Sequence, residues 1–343
     1  MSTHVSSSPL LSCASAVVPS ALGRRRRVLD EVNGSRGKSG GWPDCFEYGH
    51  DGDYLTVTMR KGYGKKEFRR FDAWALAFLN EFEKKTASRA KGIKFHILGA
   101  SPESRYNLEA FVRRVSYLQL CNHDRAFSIQ GTGGSILLYD SQTLFERPPD
   151  EVVRNDVTPR SDDDKPGRIE KDFQTFLFGK NLDRPERTNE RLAVLGMDFF
   201  QLGKRNLGIL REFPTGAFRG KVAGAYRVLP TEFVDIVTLN KHRELSVIEL
   251  KINDSQLEVI SQILDYALFF ACYIDQLYPT VRSQLAVDPK PGPFVCYVVN
   301  NHFHERFDEV LRHYRTPPDI KFHLKKVVLG YTQMFQSRSA NGI

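Results

Sequence analysis

Apolar residues change period several times along the chain, and each change predicts an element. From Tyr54 to Met59 they alternate, with Leu55, Val57 and Met59 on one face, which predicts a strand. From Phe71 to Phe82 the spacing turns helical, at Phe71, Trp74, Ala75, Phe78, Leu79 and Phe82. A strand over Lys94–Leu98 and a helix over Glu109–Leu118 follow. Phe127–Gln130 and Ser135–Tyr139 then read as a hairpin around Gly131-Thr132-Gly133-Gly134.

Further on, Arg168–Phe178 reads as an amphipathic helix with Ile169, Phe173, Phe176 and Leu177 on its apolar face. Phe233–Leu239 and Leu245–Lys251 read as two strands joined by a polar turn. A long helix through Leu277 carries Val259, Ile260, Ile263, Leu264, Ala267, Leu268, Ala271 and Ile274 on a broad face, and Ser255 with Glu258 is spaced as its capping box. A strand at Pro293–Val299, a helix at His304–Tyr314 and a strand at Val327–Tyr331 complete the series, with one earlier strand near Tyr226–Leu229. The order α-β-β-β-α-β predicts an α/β fold, a mixed sheet flanked by helices.

A chain of 343 residues exceeds one ordinary domain. Residues 1–40, rich in Ser, Ala and Gly and carrying Arg24 to Arg27, read as a disordered basic tail that loosely resembles an organellar transit peptide. Residues 41–145 read as a small α+β accessory domain and 146–167 as a linker with Pro148, Pro149, Pro159, Pro166 and the acidic run Asp162–Asp164. Residues 168–335 form the second domain and 336–343 a tail.

Composition narrows the classes. A hydrophobic share of 41% with 26% charged residues excludes fibrous and wholly disordered chains. In the most apolar segment the uncharged run is only Tyr266–Ile274, bracketed by Asp265 and Asp275, so no membrane span is expected. Half of the net charge of +8 lies in the first 40 residues, so charge alone supports a nucleic-acid partner only weakly. Cys13, Cys45, Cys121, Cys272 and Cys296 are scattered without a C-x-x-C, which argues for a reducing, cytoplasmic setting.

The chemistry concentrates on the paired strands. In a hairpin centred near His242, Asp235 lies opposite Glu249, and Glu249 and Lys251 share its face. Val234, Ile236, Ile248 and Leu250 then point the other way, into apolar packing. Facing carboxylates about 5 Å apart destabilise a sheet unless something offsets them. Lys251 does so in part, and a divalent cation, Mg²⁺ or Mn²⁺, does so more fully. A metal there activates a water for attack on phosphorus, with Lys251 orienting it or neutralising developing charge. The plainer alternative is a surface hairpin of salt bridges.

Gln262 and Tyr266 stand at i and i+4 on the long helix, either as satisfied interior groups or aimed at the same patch. On the chain alone Glu170 reads as an ordinary exposed helix residue. Lys61, Lys65, Lys66, Arg69 and Arg70, interleaved with Tyr63, Phe68 and Phe71, read as a phosphate-tracking loop with stacking rings, or as a solvated turn. No Walker loop and no Gly-x-Ser-x-Gly is present.

Asp235, Glu249-Leu250-Lys251 and Gln262-x-x-x-Tyr266, in that order, resemble the PD-(D/E)XK nuclease superfamily and its RecB-like branch. The spacing is similar to that of the NucS (EndoMS) endonucleases, with Shedu-type nucleases as a second choice. The resemblance covers about residues 168–300, and Val234 stands where the motif's proline would fall. It implies a restriction-endonuclease-like fold and metal-dependent hydrolysis of DNA. Asp235, Glu249, the Leu250 carbonyl and Glu170 would be metal ligands, Lys251 catalytic, and Gln262 and Tyr266 site support or DNA contacts. The expected partner is single-stranded, mismatched or foreign duplex DNA, in repair or anti-phage defence, with a homodimer or higher oligomer allowed. The alternatives are a non-cleaving DNA- or protein-binding module on a nuclease scaffold, and a structural protein whose carboxylates only make salt bridges.

Overall fold

The computed structural model describes residues 21–37, 41–64, 66–99, 105–154, 169–178, 191–199, 208–285, 288–314 and 321–330. The fold is mixed α/β. Its N-terminal sheet runs β1 (Phe46–Asp51), β2 (Tyr54–Met59), β3 (Gly92–Ile97), β4 (Ala126–Gly131) and β5 (Gly134–Ile136) in spatial order. The outer pairs are antiparallel; β2, β3 and β4 are parallel, crossed over by α2 (Phe71–Thr86) and α3 (Arg105–Cys121). At the start of β3 the strands meet so closely that a Cβ on Gly92 would lie 1.7 Å from the Ala126 carbonyl oxygen, so only glycine fits.

The C-terminal sheet takes the order β13-β12-β11-β10-β7. Its strands are β7 (Leu210–Pro214), β10 (Phe233–Leu239), β11 (Leu245–Lys251), β12 (Phe294–Asn300) and β13 (Phe322–Val328). β7, β10 and β11 are antiparallel neighbours; β11, β12 and β13 are parallel, linked by α5 (Val259–Gln284) and α6 (Phe307–Leu311). α4 (Ile169–Phe178) covers the opposite face. A third sheet joins β6 (Glu151–Val153), β8 (Ala217–Arg219) and β9 (Arg227–Leu229).

One continuous apolar cluster runs from Leu55, Val57 and Phe95 through Phe78 and Phe111 to Leu264, Phe270 and Val247, so the helices of both sheets pack on one another. A smaller cluster places Phe173, Phe176 and Leu177 of α4 against Ile236, Ile248, Leu250 and Val299. Alternation in β11 explains the division: Leu245 and Val247 face α5, Ile248 and Leu250 face α4. Val234 departs from the expected pattern and packs with the α5-side cluster, at the point where β10 turns away from β11.

At the junction Arg114 of α3 is fully buried. Its Nε lies 3.1 Å from each carboxylate oxygen of Asp72 on α2, and its Nη1 lies 2.5 Å from Asp265 Oδ1 on α5. Its Nη2 donates to the Phe68 carbonyl. The Tyr314 and Ser261 hydroxyls complete the shell of Asp72 at 2.7 and 3.1 Å. Burial pushes the Asp265 carboxyl up to about 6, although Arg114 pulls it down.

Several expectations are corrected. Residues 21–34, read as disordered tail, form helix α1 (Ala21–Gly34), because Val28 and Val32 fall on one side and are buried, while Asn33 Nδ2 donates to the Tyr48 carbonyl at 2.8 Å. Residues 1–20, 38–40 and 331–343 lie outside the described residues. Within the expected linker, Glu151–Val153 is a strand paired to β8. The strand near Tyr226–Leu229 joins the small sheet as β9, and β7 takes its expected place beside β10. The Ser255/Glu258 capping box does not form: Glu258 is the N-cap without a side-chain cap bond, and Asp254 Oδ1 instead accepts from the Gln256 N–H. The last strand lies earlier than expected, at Phe322–Val328.

Candidate metal and phosphodiester site

β10 and β11 pair Leu239↔Leu245 through Ile236↔Ile248, the register expected for a hairpin about His242, and there the ladder ends. One step beyond, Asp235 and Glu249 face a fork between the strands. On its other edge β10 pairs Val234↔Phe213 and Ile236↔Arg211, skipping Glu212, which has a left-handed φ of 49°. That conformation is strained in a residue with a Cβ, and the strain falls opposite Asp235. The fork lies at the carboxyl end of β11, where it runs parallel to β12; open α/β sheets carry their ligands at such ends.

Asp235 Oδ2 accepts from the Leu250 N–H at 2.7 Å, which replaces the ladder bond lost at the fork. Its Oδ1 accepts from Gln174 Nε2 of α4 at 3.3 Å. Burial pushes the Asp235 carboxyl up to about 6, against the pull of Lys251 and the Leu250 N–H. Glu249 is only 1% exposed. Its Oε1 lies 2.8 Å from Lys251 Nζ, while Oε2 is buried with no hydrogen-bond partner. Burial and then the Asp235 charge raise its pKa well above the carboxylate range, with Lys251 acting the other way. Burial disfavours the Lys251 ammonium, but Glu249, Glu170 and Asp235 outweigh it and hold its pKa above the ordinary value. Glu170 of α4 reaches Lys251 Nζ at 3.6 Å.

Gln262 and Tyr266 bond each other, Nε2 to the phenol oxygen at 2.9 Å, and the phenol donates to the Phe233 carbonyl at 3.0 Å. They tether the start of β10 to α5. Tyr266 is buried, and desolvation followed by the Glu249 charge raises its pKa. Beyond Lys251 the chain turns through Asn253, at φ 57°, and Asn300 Nδ2 donates to the Asp254 carbonyl at 2.6 Å. Gln174 escaped the sequence reading. Its signal was its place one turn after Glu170, on the same side of an amphipathic helix.

The basic loop is near but does not reach these carboxylates. Arg69 pairs with Glu232, next to the start of β10, and Arg70 lies 3.8 Å from Glu67. Lys61 and Lys66 are exposed, and Lys65 lies outside the described residues. Among the described residues no group of three or more His, Cys, Asp or Glu side chains is arranged to hold a metal. The fork offers less than that: two side-chain carboxylates and the Leu250 main chain. The donor chemistry nonetheless fits a hard divalent ion, since Glu249 Oε2 is a buried acceptor without a donor and both carboxyls resist ionising there alone.

Comparison with protein-family models, with curated proteins and with solved structures found no match to this chain. No helix among the described residues is long and apolar enough to cross a membrane.

Proposed function

We propose that the chain is a metal-dependent nuclease that hydrolyses DNA phosphodiester bonds at the fork between β10 and β11. The observation that carries this reading is the buried, donorless Oε2 of Glu249 in the same fork as the Asp235 carboxylate and the Lys251 ammonium. Asp235, Glu249 and the Leu250 carbonyl would hold Mg²⁺ or Mn²⁺, with Glu170 at the rim. When bound, the ion supplies Lewis-acid stabilisation and lowers the pKa of a bound water.

The chain's own groups do the rest. Lys251 stays protonated and offers positive charge where phosphoryl oxygens gain negative charge. Gln174 and the Leu250 N–H fix the Asp235 carboxylate, and Tyr266 holds β10 at the point of divergence. Lys61 and Lys66, with Lys65 between them, would attract the phosphate backbone from the side of the Arg69–Glu232 pair. The setting is cytoplasmic, which suits the free thiols of Cys45, Cys121, Cys272 and Cys296, and the role is in DNA repair or defence against foreign DNA. Assembly as a dimer or higher oligomer would present two such sites to one duplex.

A second reading rests on the 2.8 Å Lys251–Glu249 contact: the fork neutralises its own charge and binds DNA or protein without cutting. One experiment separates the two. Supercoiled plasmid and a labelled single strand are incubated with Mg²⁺, Mn²⁺ or EDTA, using the native protein and Lys251→Ala. Metal-dependent cleavage lost in the variant supports the nuclease; DNA binding with no cleavage under any condition supports the binding module.

A further inference from the structure

Away from the fork, a cleft of about 490 Å³ opens between α3, the β4–β5 hairpin and the small sheet. Its volume lies in the range of small-molecule sites, about 300–1,000 Å³. Its charges are unevenly matched. Arg113 is buried and satisfied by Glu109 at 3.0 Å, and Arg219 by Asp150 at 3.2 Å. Arg105 and Arg227 line the same cleft with no acidic partner within ion-pair distance among the described residues.

Arg227 is held in place before any ligand arrives. Its guanidinium carbon lies 5.2 Å from the Tyr106 ring centre and 5.9 Å from that of Phe218, and its Nε is buried without a hydrogen-bond partner. A guanidinium held against two rings, with no acidic partner, is suited to pairing with two oxygens of a phosphate. Beside these cations the cleft wall is apolar and aromatic: Leu137 is 88% exposed and Tyr226 44% exposed. These two side chains offer a flat ring an apolar surface, and Lys221 Nζ, 4.6 Å from the Tyr226 ring centre, adds positive charge beside it. Of the acids in the cleft, Glu109 bonds Arg113 and the Tyr139 hydroxyl, and Glu151 accepts from the Tyr273 hydroxyl at 2.6 Å. Glu146, exposed, accepts from Gln142 and faces solvent at the rim.

We propose that this cleft binds a mononucleotide, its phosphate taken by Arg105 and Arg227 and its base lying against Tyr226 and Leu137. A phosphate joined to an aromatic ring system matches both halves of the wall, which a bare anion or a purely apolar ligand does not. The floor connects to α5 through Glu151, which meets both Tyr273 and Gln276. Glu151 thus ties the cleft floor to the helix that also carries Gln262 and Tyr266. The proposal does not depend on the nuclease reading.

Titration calorimetry of the full chain with AMP tests it, with inorganic phosphate and adenosine as separate arms. AMP should bind more tightly than either fragment, and both Arg105→Ala and Arg227→Ala should weaken it by about tenfold or more. Arg105 is exposed, so its variant keeps the test valid if Arg227→Ala unfolds. Asp235→Asn should leave AMP binding unchanged. No saturable AMP binding at millimolar concentration, binding indifferent to both arginine variants, or binding lost in Asp235→Asn would overturn the assignment.

Discussion

The carboxylate of Asp235 accepts a hydrogen bond from the main-chain N–H of Leu250 at 2.7 Å, so the first acid of the candidate site fastens the strand that carries the second. The bond stands where the β10–β11 ladder has stopped, and it keeps Glu249 and Lys251 facing the fork. One side chain thus serves the backbone and the site together.

That double service has a measurable cost. A carboxyl raised to about 6 from 3.8 binds protons more readily in the folded than in the unfolded chain. Stability from this group is therefore greatest below pH 4 and declines as pH rises toward 6. In metal-free protein at pH 7.5 the Asp235→Asn variant should be more stable by about 1–3 kcal/mol, read from urea unfolding. A loss of stability of that size would show that the charged form is preferred.

On the proposed reading, cation and proton compete for the carboxylate oxygens of Asp235 and Glu249. Mn²⁺ or Mg²⁺ should raise the melting temperature at pH 7.5 and less at pH 5, and Glu249→Gln should remove the shift. Scanning calorimetry at both pH values measures it. A shift that persists in Glu249→Gln places the ion elsewhere.

Gln174 positions Asp235 and need not touch the substrate. If the fork is the proposed nuclease site, Gln174→Ala should raise the metal concentration needed for half-maximal cleavage by about 10- to 100-fold, while cleavage at saturating metal returns toward the native rate. A metal titration of cleavage rate distinguishes this from a loss at every metal concentration, which would assign Gln174 a different role.

Tyr266→Phe deletes the donor to the Phe233 carbonyl and leaves Gln262 without its partner. The expected loss is about 1–2 kcal/mol of stability, with proton exchange faster at the start of β10 than elsewhere in the sheet. Uniform exchange along β10 would mean that the tether does not hold the fork.

If the 60–70 loop follows phosphates, Lys61→Ala with Lys66→Ala should weaken DNA binding at low salt and reduce the salt slope by about one per lysine. Fluorescence anisotropy across a salt series reads this directly. An unchanged slope would leave these lysines in solvent.

Much of the C-terminal sheet was legible because its signals are local. Phe233–Leu239 and Leu245–Lys251 alternate around a short turn, and their pairing follows from that turn alone. Helix α1 was not legible: its Ser-, Gly- and Arg-rich surroundings mask Val28 and Val32, which become informative only once the N-terminal sheet is there to cover them. Short β7 and β9 have no period of their own, so which one neighbours β10 is decided by packing. Within the site, Asp235, Glu249 and Lys251 could be placed from strand alternation, whereas the Asp235–Leu250 bond and the stray Oε2 of Glu249 depend on the strands parting, which no spacing encodes.

Arg114 has a consequence for how the molecule can be taken apart. Its charge is divided between Asp72, in the N-terminal half, and Asp265, on the helix of the C-terminal sheet. Severing the chain near residue 150 would leave Arg114 its pair with Asp72 but strip Asp265 of its only ion-pair partner among the described residues, a defect of roughly 3–5 kcal/mol if that carboxylate stayed buried. The C-terminal half depends on the N-terminal half more than the reverse: the two should melt in one transition, and residues 151–343 alone should be the less stable fragment.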